Sequence, residues 1–437
     1  MRPTLFLASL LAACTGDGTK SSGETGTDTQ TTGGCVEENG ACVLEGTYTE
    51  DMTLDAAHPW LLRSAVIIGD DTNPVTLTIE AGTKIYGESA TNGMLIVSRN
   101  ADIMAEGTSA APIVFTSDQA EGSRARGDWG GVVINGKAPI NACTDGATPC
   151  EAAGEGGTGT YGGTDGADSS GVLKYVVIEF GGTEISPDNE VNGLGLQGVG
   201  SGTVLDYIQV HRNLDDGIEF FGGTAQAKHL VISEPGDDGI DWDLGFQGKI
   251  QHAVVIQADD AGNNGTECDN NEEDNLASPV SNPTMSNITF AGSTAIAEDN
   301  YGMLFRRGAS PRAYNFAATG FSSACLAIRD QATFDAFANG DAVLERTVIA
   351  CAQDFEESEE ETEVGTEEEV FAAGAGNSSV TDLQLTDPGA WNFVPAAGSP
   401  LLGAGQAPAD PWFDAADYVG GFGASDWTAG WTSSAAN

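Results

Sequence analysis

One apolar stretch recurs five times in the middle of the chain. It reads LKYVVIE at residues 173–179, LDYIQVH at 205–211, AKHLVIS at 227–233, IQHAVVI at 250–256 and MSNITFA at 285–291. The steps from one start to the next are 32, 22, 23 and 35 residues. Recurrence at a short and nearly regular step indicates that each stretch is one rung of a repetitive fold.

A second kind of stretch alternates with the first. It reads GLGLQ at 193–197, GIEFF at 217–221, GIDWD at 239–243 and GMLFR at 302–306, with apolar residues at the second and fourth positions. Period-two alternation within a repeat of this length predicts short parallel strands wound into a coil. A propeller would need about 40 residues per blade, and the hairpin signals of an antiparallel sandwich are scarce. The sequence therefore predicts an all-β fold, a right-handed parallel β-helix.

The composition limits the partners of the chain. There are 17 Lys and Arg residues against 65 Asp and Glu residues, a net charge of −48, which argues against nucleic-acid binding. The 59 glycines favour tight turns over helices. The predicted organisation is a signal peptide at 1–13, a lipidated Cys and flexible tether at 14–34, an N-terminal cap at 35–60, the β-helix at 61–354, an acidic loop at 355–375, and a final coil with a C-terminal cap at 376–437.

The N-terminus predicts export and anchoring. A charged start and a short apolar run form a secretory signal. The tetrad at residues 11–14, LAAC, resembles a bacterial lipobox, which implies that Cys14 carries a lipid and attaches the protein to a membrane. Thr15 follows instead of Asp, so the resemblance implies the outer membrane or the cell surface. Residues 15–34 are almost all Thr, Gly, Ser and Asp, the composition of a flexible tether.

The cysteines agree with an oxidising, exported setting. Two pairs are spaced to close small loops, and a third pair lies in two apolar runs about one repeat apart. Cys268 is left over. The predicted disulfides are Cys35–Cys42, Cys143–Cys150 and Cys325–Cys351.

Four motifs carry a family resemblance. They are WGGVVINGKAPI at 129–140, DDGIEFFGG at 215–223, GDDGIDWD at 236–243 and DWTAGW at 426–431. Together they resemble a large family of secreted bacterial β-helix proteins, many of them lipoproteins. The resemblance spans most of residues 60–431 and implies a pectate-lyase-like β-helix, but it implies no particular activity.

Aligning the repeats on the glycine that opens each strand stacks acidic residues from successive coils. Carboxylates one rung apart repel by about 1 kcal/mol when fully hydrated, and by about 3 to 4 kcal/mol at an effective dielectric constant of 20. Some compensation is therefore expected: a cation, protonation, or nearby N–H groups. The stacked pairs, named here the acid ladder, are Asp215 over Asp237, Asp216 over Asp238, and Glu219 over Asp241 with Asp243 beside it.

Three interpretations of the acid ladder remain open. Asp-Asp-Gly can cap a turn through bonds to local backbone N–H groups. Crowded carboxylates on a rigid scaffold also suit Ca²⁺, the one cofactor indicated, with Asp215, Asp216, Asp237 and Asp238 as ligands. Alternatively, two carboxylates could act as acid and base on a glycan. The catalytic candidates are Asp216, Asp238, Glu219 and Asp241.

A further set of side chains falls in one column and is predicted to face out of the coil. This outward column consists of Tyr175, Tyr207, His229, His252 and Asn287. Stacked rings of this kind serve packing, or they offer faces to sugar rings. The ligand-binding candidates are Tyr175, Tyr207, His229, His252, Asp243 and Arg306.

The sequence thus predicts a non-catalytic, lipid-anchored surface protein. Its rigid β-helix would present a binding face to glycans or other envelope components, with Ca²⁺ dependence as a separate expectation. The first alternative is a polysaccharide lyase or hydrolase that uses the carboxylates of adjacent coils. The second alternative is a purely structural protein of the envelope.

Overall fold

The chain winds into a coil of short parallel strands, which confirms the predicted right-handed parallel β-helix. The computed structural model describes residues 36–38, 40–143, 146–186, 189–297, 299–356 and 365–437. The strands are β1 (Val36–Glu38), β2 (Ala41–Tyr48), β3 (Met52–Leu54), β4 (Trp60–Ile68), β5 (Val75–Ile79), β6 (Lys84–Gly87), β7 (Met94–Val97), β8 (Ala101–Glu106), β9 (Ile113–Ser117), β10 (Gly131–Asn135), β11 (Ala152–Ala153), β12 (Thr160–Tyr161), β13 (Gly171–Glu179), β14 (Glu184–Ser186), β15 (Asn189–Glu190), β16 (Leu194–Gln197), β17 (Val204–His211), β18 (Ile218–Phe221), β19 (Gln226–Ser233), β20 (Ile240–Asp243), β21 (Lys249–Ile256), β22 (Thr266–Cys268), β23 (Thr284–Ala291), β24 (Tyr301–Phe305), β25 (Arg312–Thr319), β26 (Ala324–Ile328), β27 (Val343–Glu345), β28 (Val348–Ala350), β29 (Ser378–Ser379), β30 (Leu385–Asp387) and β31 (Asn392–Pro395).

Three parallel sheets form the walls of the coil. Sheet 1 runs from β3 through β5 and β8 to the first halves of the long strands β13, β17, β19, β21, β23 and β25. Sheet 2 contains β6, β9 and the second halves of the same long strands, followed by β28 and β29. Sheet 3 contains β7, β10, β16, β18, β20, β22, β24 and β26.

The strand register is the one that the repeats predict. Leu205 pairs with Ala227, which pairs with Ile250, so each long strand lies directly over the previous one. In sheet 3, Phe220 pairs with Trp242, and both side chains are 0% exposed inside the coil. Because side chains alternate along a strand, the residues between these core positions point outward.

Each long strand bends at one residue with a left-handed backbone. The φ values are 48° at Tyr175, 55° at Tyr207, 53° at His229, 60° at His252 and 59° at Asn287. This region is unfavourable for most residues other than Gly and Asn, and it turns the strand from sheet 1 into sheet 2. The outward column therefore occupies the corner between these two sheets.

The described disulfides are the predicted ones. Cys143 is bonded to Cys150, and Cys325 to Cys351, while Cys268 is free and buried. Cys42 is also disulfide-bonded; its predicted partner Cys35 lies outside the described residues, as do the signal peptide 1–13 and the lipidated Cys and tether 14–34.

Helices are few and short. They are α1 (Gln331–Asn339) and α2 (Glu367–Ala373), with 3-10 turns at Ser89–Thr91, Glu155–Gly157 and Pro388–Ala390. Helix α2 occupies part of the predicted acidic loop, of which residues 357–364 lie outside the described part. Its N-terminal Thr366 accepts a hydrogen bond from the Glu369 N–H, so the glutamates form a capped first turn. Neither helix of the described chain has the length needed to cross a membrane.

The last fifty residues, named here the tail, run along the corner between sheets 1 and 2, where the sequence predicts a C-terminal cap at the end of the coil. Lys249 and Lys228 of sheet 1 form ion pairs with Asp410 and Asp414 at 2.5 and 2.8 Å. On β23, the long strand that follows β21, the Asn287 side chain donates to the Tyr418 carbonyl at 2.8 Å. The tail therefore fastens successive coils to one another.

Candidate functional site

The acid ladder lies on the outer side of sheet 3 and in the turns that precede its strands. Glu219 pairs in register with Asp241, and Phe221 with Asp243. In the turns, Asp216 and Asp238 are only 7% and 3% exposed. The stacking that the sequence predicts is thus present in the structure.

The buried aspartates bind the backbone of the next coil. Asp216 Oδ1 accepts the Asp238 N–H at 2.9 Å, and Asp238 Oδ1 accepts the Asn264 N–H at 2.5 Å. Both residues thus accept backbone N–H groups, as the capping interpretation expects. The bonds nevertheless link successive turns instead of closing the local one, and each uses only one oxygen of the carboxylate.

The ladder continues into a third coil that the sequence analysis did not identify. Glu267 of β22 pairs with Asp241, and Asp269 follows one position beyond the strand. The signal was present, because residues 265–269 read GTECD and repeat the pattern of GIDWD at 239–243. Cys268 takes the inward position of Trp242 and is fully buried.

Arginine side chains neutralise the carboxylates of this third coil but not those of the acid ladder itself. Arg306 Nε contacts Asp269 at 2.9 Å, and its guanidinium also bonds Glu267. Arg307 reaches the other oxygen of Asp269 at 2.8 Å. Arg306 thus lies on the predicted face. None of the seven acids of the ladder forms an ion pair within the described residues.

An insertion adds another carboxylate at the opposite end. Residues 146–170 fold over the outer side of sheet 3, where the Tyr161 ring lies 6.3 Å from that of Phe221. The 3-10 turn of this insertion carries Glu155. The Asn192 Nδ2 donates to Glu219 Oε2 at 2.5 Å and to Glu155 Oε2 at 3.3 Å. No repeat pattern marks Glu155, which comes from the insertion. Asn192 precedes Gly193 as Asp216 precedes Gly217, so it occupies a repeat position, but as an amide it is not counted among the stacked acids.

Burial and mutual repulsion make the acids hard to ionise. Burial, together with the charge of Asp215, raises the pKa of Glu155 to about 8. Burial and the charge of Asp237 raise the pKa of Asp215 to about 7. For the remaining members, burial is again the main cause; neighbouring carboxylates add to it except at Asp237, where Asn263 and Arg306 oppose the rise in pKa. The pKa is raised in this way for Asp216, Glu219, Asp237, Asp238, Asp241 and Asp243.

Several buried oxygens at the ladder lack a hydrogen-bond partner among the described residues. They include Asp241 Oδ1, Asp243 Oδ1 and the Oδ1 of Asn192, a residue that is 1% exposed. Buried polar atoms are nearly always paired in proteins. A carboxylate or amide oxygen accepts and cannot donate, so these atoms need a donor or a cation.

The carboxylates are close enough to share cations. Three groups each bring one oxygen per residue within 4.8 Å of the others. Asp216 and Asp241 each belong to two groups, and Asp241 links the predicted ladder to Glu267. Oxygen-only ligands of this kind suit Ca²⁺, which takes 6 to 8 oxygens at roughly 2.3 to 2.6 Å. The groups are Asp215–Asp216–Asp237, Asp216–Glu219–Asp241 and Asp238–Asp241–Glu267.

The outward column forms the predicted stack, but the tail covers it. Ring centroids are 4.4 Å apart for Tyr175 and Tyr207, and 4.1 Å apart for Tyr207 and His229. Trp431 stands edge-on to both tyrosines, at 5.7 and 5.9 Å. His252, the next residue of the stack, is 6% exposed. The ring faces therefore contact one another and the tail, and ligand binding there remains a prediction.

Comparison with known proteins assigns the fold to one family. A family described as pectate-lyase like beta helix domain matches residues 46–432. No curated protein and no solved structure matches the chain. The family description favours a carbohydrate-related role.

Proposed function

We propose that this chain, which belongs to the family of pectate-lyase-like β-helix domains, is an exported, lipid-anchored protein that binds carbohydrate without cleaving it. The observation that carries the proposal is the burial of Asp216 and Asp238 in the acid ladder, which are 7% and 3% exposed. A catalytic acid and base must reach the scissile bond of a polymer within hydrogen-bond distance. Asp216 and Asp238, two of the four catalytic candidates, instead point into the turns and hold the next coil.

The acid ladder is proposed to bind Ca²⁺ as a structural ion. Its support is the charge balance: seven acids lie together without an ion pair among the described residues, and Asn192 and Asp241 add buried oxygens without partners. A cation would favour the ionised carboxylates and supply the missing partner. In this role Ca²⁺ holds three successive coils and the insertion in place, and it would affect ligand binding only by keeping the fold intact.

The test of the function is a binding assay combined with an assay for cleavage. The full chain without its signal peptide, with Cys14→Ser to prevent lipidation, is incubated with insoluble polysaccharides in 2 mM Ca²⁺, and bound protein and released reducing ends are both measured. We expect retention on at least one neutral polysaccharide with no rise in reducing ends or unsaturated products. Failure to bind the whole panel contradicts the proposal.

One observation supports the enzymatic alternative, and the same assay tests it. A carboxyl with a pKa of about 8, such as Glu155, retains its proton at neutral pH, as a general acid must. If products appear, and Glu219→Gln with Asp241→Asn abolishes them, the protein is a hydrolase or a lyase. Release of products would overturn the non-catalytic proposal.

Anchoring is tested separately in cells. Wild-type protein and Cys14→Ser are expressed in a bacterial host with a labelled fatty acid, and membrane and soluble fractions are compared. We expect label and membrane association for the wild type only. Equal labelling of both proteins would show that Cys14 is not the lipidated residue.

A further inference from the structure

A groove lies on the outer side of sheet 2, at the coils where the tail ends. It has a volume of about 460 Å³, within the range of roughly 300 to 1,000 Å³ that is usual for small-molecule sites. Its floor consists of side chains from β6, β9 and β13, three strands one rung apart. Residues 431–437 of the tail form one wall, and residues 121 and 124 lie at the rim.

The wall is fixed to the sheet by several hydrogen bonds. Gln209 bonds Ser433 twice, through its Nε2 to the carbonyl at 2.7 Å and through its Oε1 to the N–H at 2.6 Å. His211 Nε2 donates to the Ala435 carbonyl at 2.8 Å. At the far side, the Gly122 N–H donates to the Asn437 carbonyl at 3.2 Å. The groove is thus formed in advance by the fold.

Two buried polar groups in the floor lack hydrogen-bond partners among the described residues. Thr116 is 3% exposed, and its Oγ1 has no hydrogen-bond partner among the described residues. Glu179 is 5% exposed, and its carboxylate forms neither an ion pair nor a hydrogen bond within that same part of the chain. Leaving such groups unpaired is costly. Together they present a hydroxyl and a charged acceptor to whatever enters the groove.

The remaining lining favours a neutral, hydroxyl-rich ligand. Val114, Val177 and the Trp431 ring provide apolar surface, and Tyr86 adds a second aromatic side chain. The positive charges of Lys84 and Arg124 balance the negative charges of Glu121 and Glu179, so these four side chains carry no net charge. The whole chain, by contrast, has a net charge of −48. A lining without net charge gives a polyanion no net electrostatic attraction, while sugar hydroxyls can donate to Glu179 and bond Thr116.

We propose that this groove is the carbohydrate site of the protein and that it takes a neutral saccharide, with Thr116 and Glu179 bonding its hydroxyls and Tyr86 packing on its apolar face. The inference rests on the proposed carbohydrate-binding function. It places that function on sheet 2, away from the acid ladder on sheet 3 and from the covered outward column.

Calorimetric titration of the full chain in 2 mM Ca²⁺ tests the site. The probes are cello-, xylo- and mannohexaose, with oligogalacturonate as the charged comparison. We expect one neutral probe to bind, and Thr116→Val, Glu179→Gln and Tyr86→Ala each to weaken it at least tenfold. Matched controls outside the groove, Thr78→Val of β5 and Glu106→Gln of β8, should bind as the wild type does.

The outcomes separate the site from the function. If the wild type binds a neutral probe and the groove variants bind equally well, the site is wrong but carbohydrate binding stands. If only oligogalacturonate binds, the ligand class is wrong. If no probe binds and the polysaccharide panel is also negative, both the site and the proposed function fail. Thermal melts of every variant show whether lost binding is lost folding.

Discussion

The acid ladder and the outward column both follow from the repeat, but the ladder stacks carboxylates and the column stacks rings. In both, one residue per coil stacks on the equivalent residue of the next coil. The outward column stacks rings 4.1 to 5.2 Å apart, and the tail packs against them. The acid ladder stacks carboxylates whose pKa values burial raises. Stacking therefore lets the rings be satisfied by one another and by the tail, whereas stacked carboxylates repel one another unless they are protonated or bind a cation.

The largest expected effect comes from detaching the tail that covers the outward column. Phe422 is 1% exposed and lies between Phe393 and Trp427, with ring centroids 6.2 and 5.3 Å away. Phe422→Ala should lower the free energy of unfolding by about 3 to 5 kcal/mol, the usual cost of truncating a buried Phe. Denaturant titration measures the loss, and limited proteolysis should cut first within the tail.

The matched control for this change is Leu402→Ala, a truncation at a residue of the same tail that is 44% exposed. It should change stability by less than about 0.5 kcal/mol. A tail that remains protease-resistant in Phe422→Ala would show that aromatic packing does not hold it on the column.

The second effect tests whether the acid ladder takes a cation. Ca²⁺ at 100 times its dissociation constant should stabilise the chain by about 2.7 kcal/mol per site. Asp241→Asn removes an oxygen shared by two of the three groups, so most of this gain should disappear. In chelator at pH 8, the same variant should be more stable than the wild type, because it removes a buried like charge.

A metal site is indicated if Asp241→Asn lowers stability in Ca²⁺ but raises it in chelator. In a purely structural role, the substitution would change stability by the same amount in both conditions. Glu106→Gln, at an exposed residue of sheet 1, controls for the loss of one negative charge. Identical melts of the wild type in Ca²⁺ and in chelator would refute Ca²⁺ binding.

The third prediction concerns pH. The folded-state pKa values of Glu155 and Asp215 are raised to about 8 and about 7, so the folded chain holds protons that the unfolded chain releases from about pH 4 upward. Without metal, stability should therefore be highest at acid pH and fall as the pH rises towards 8. Melts in chelator at pH 5, 6, 7 and 8 measure this. Ca²⁺ should flatten the decline, and a chelated protein that gains stability over this range contradicts the raised pKa values.

The sequence predicted most of what repeats and little of what does not. Glycine-opened strands and period-two alternation predicted the coil and the pairing of Glu219 with Asp241, because register in a β-helix follows directly from the repeat. They did not predict Glu155, which reaches the ladder from a non-repeating insertion. Nor did they predict the path of the tail, which depends on three-dimensional contacts such as that of Asn287 with the Tyr418 carbonyl.

Glu267 is a different case, because its sequence signal was present. The stretch GTECD at 265–269 has Thr where the other strands have an apolar residue. Thr266 is nevertheless buried, and its hydroxyl donates to the Ile240 carbonyl at 2.7 Å. This internal hydrogen bond allows a polar residue at an inward position. Because the apolar pattern is broken there, the strand and its acid Glu267 were not recognised from the sequence.

The smallest expected effect tests whether the outward column depends on ring shape or on charge. His229 stacks between Tyr207 and His252, and its Nδ1 also contacts Asp206 at 2.8 Å. His229→Tyr keeps a flat ring at a corner whose left-handed backbone already accommodates tyrosine at position 207. Since a partly exposed hydrogen bond or ion pair contributes about 1 kcal/mol or less, the variant should lose no more than this, whereas His229→Ala should lose clearly more. Denaturant titrations of the two variants decide the matter: equal losses would mean that the bond to Asp206, and not the stacked ring, is what the column requires at this coil.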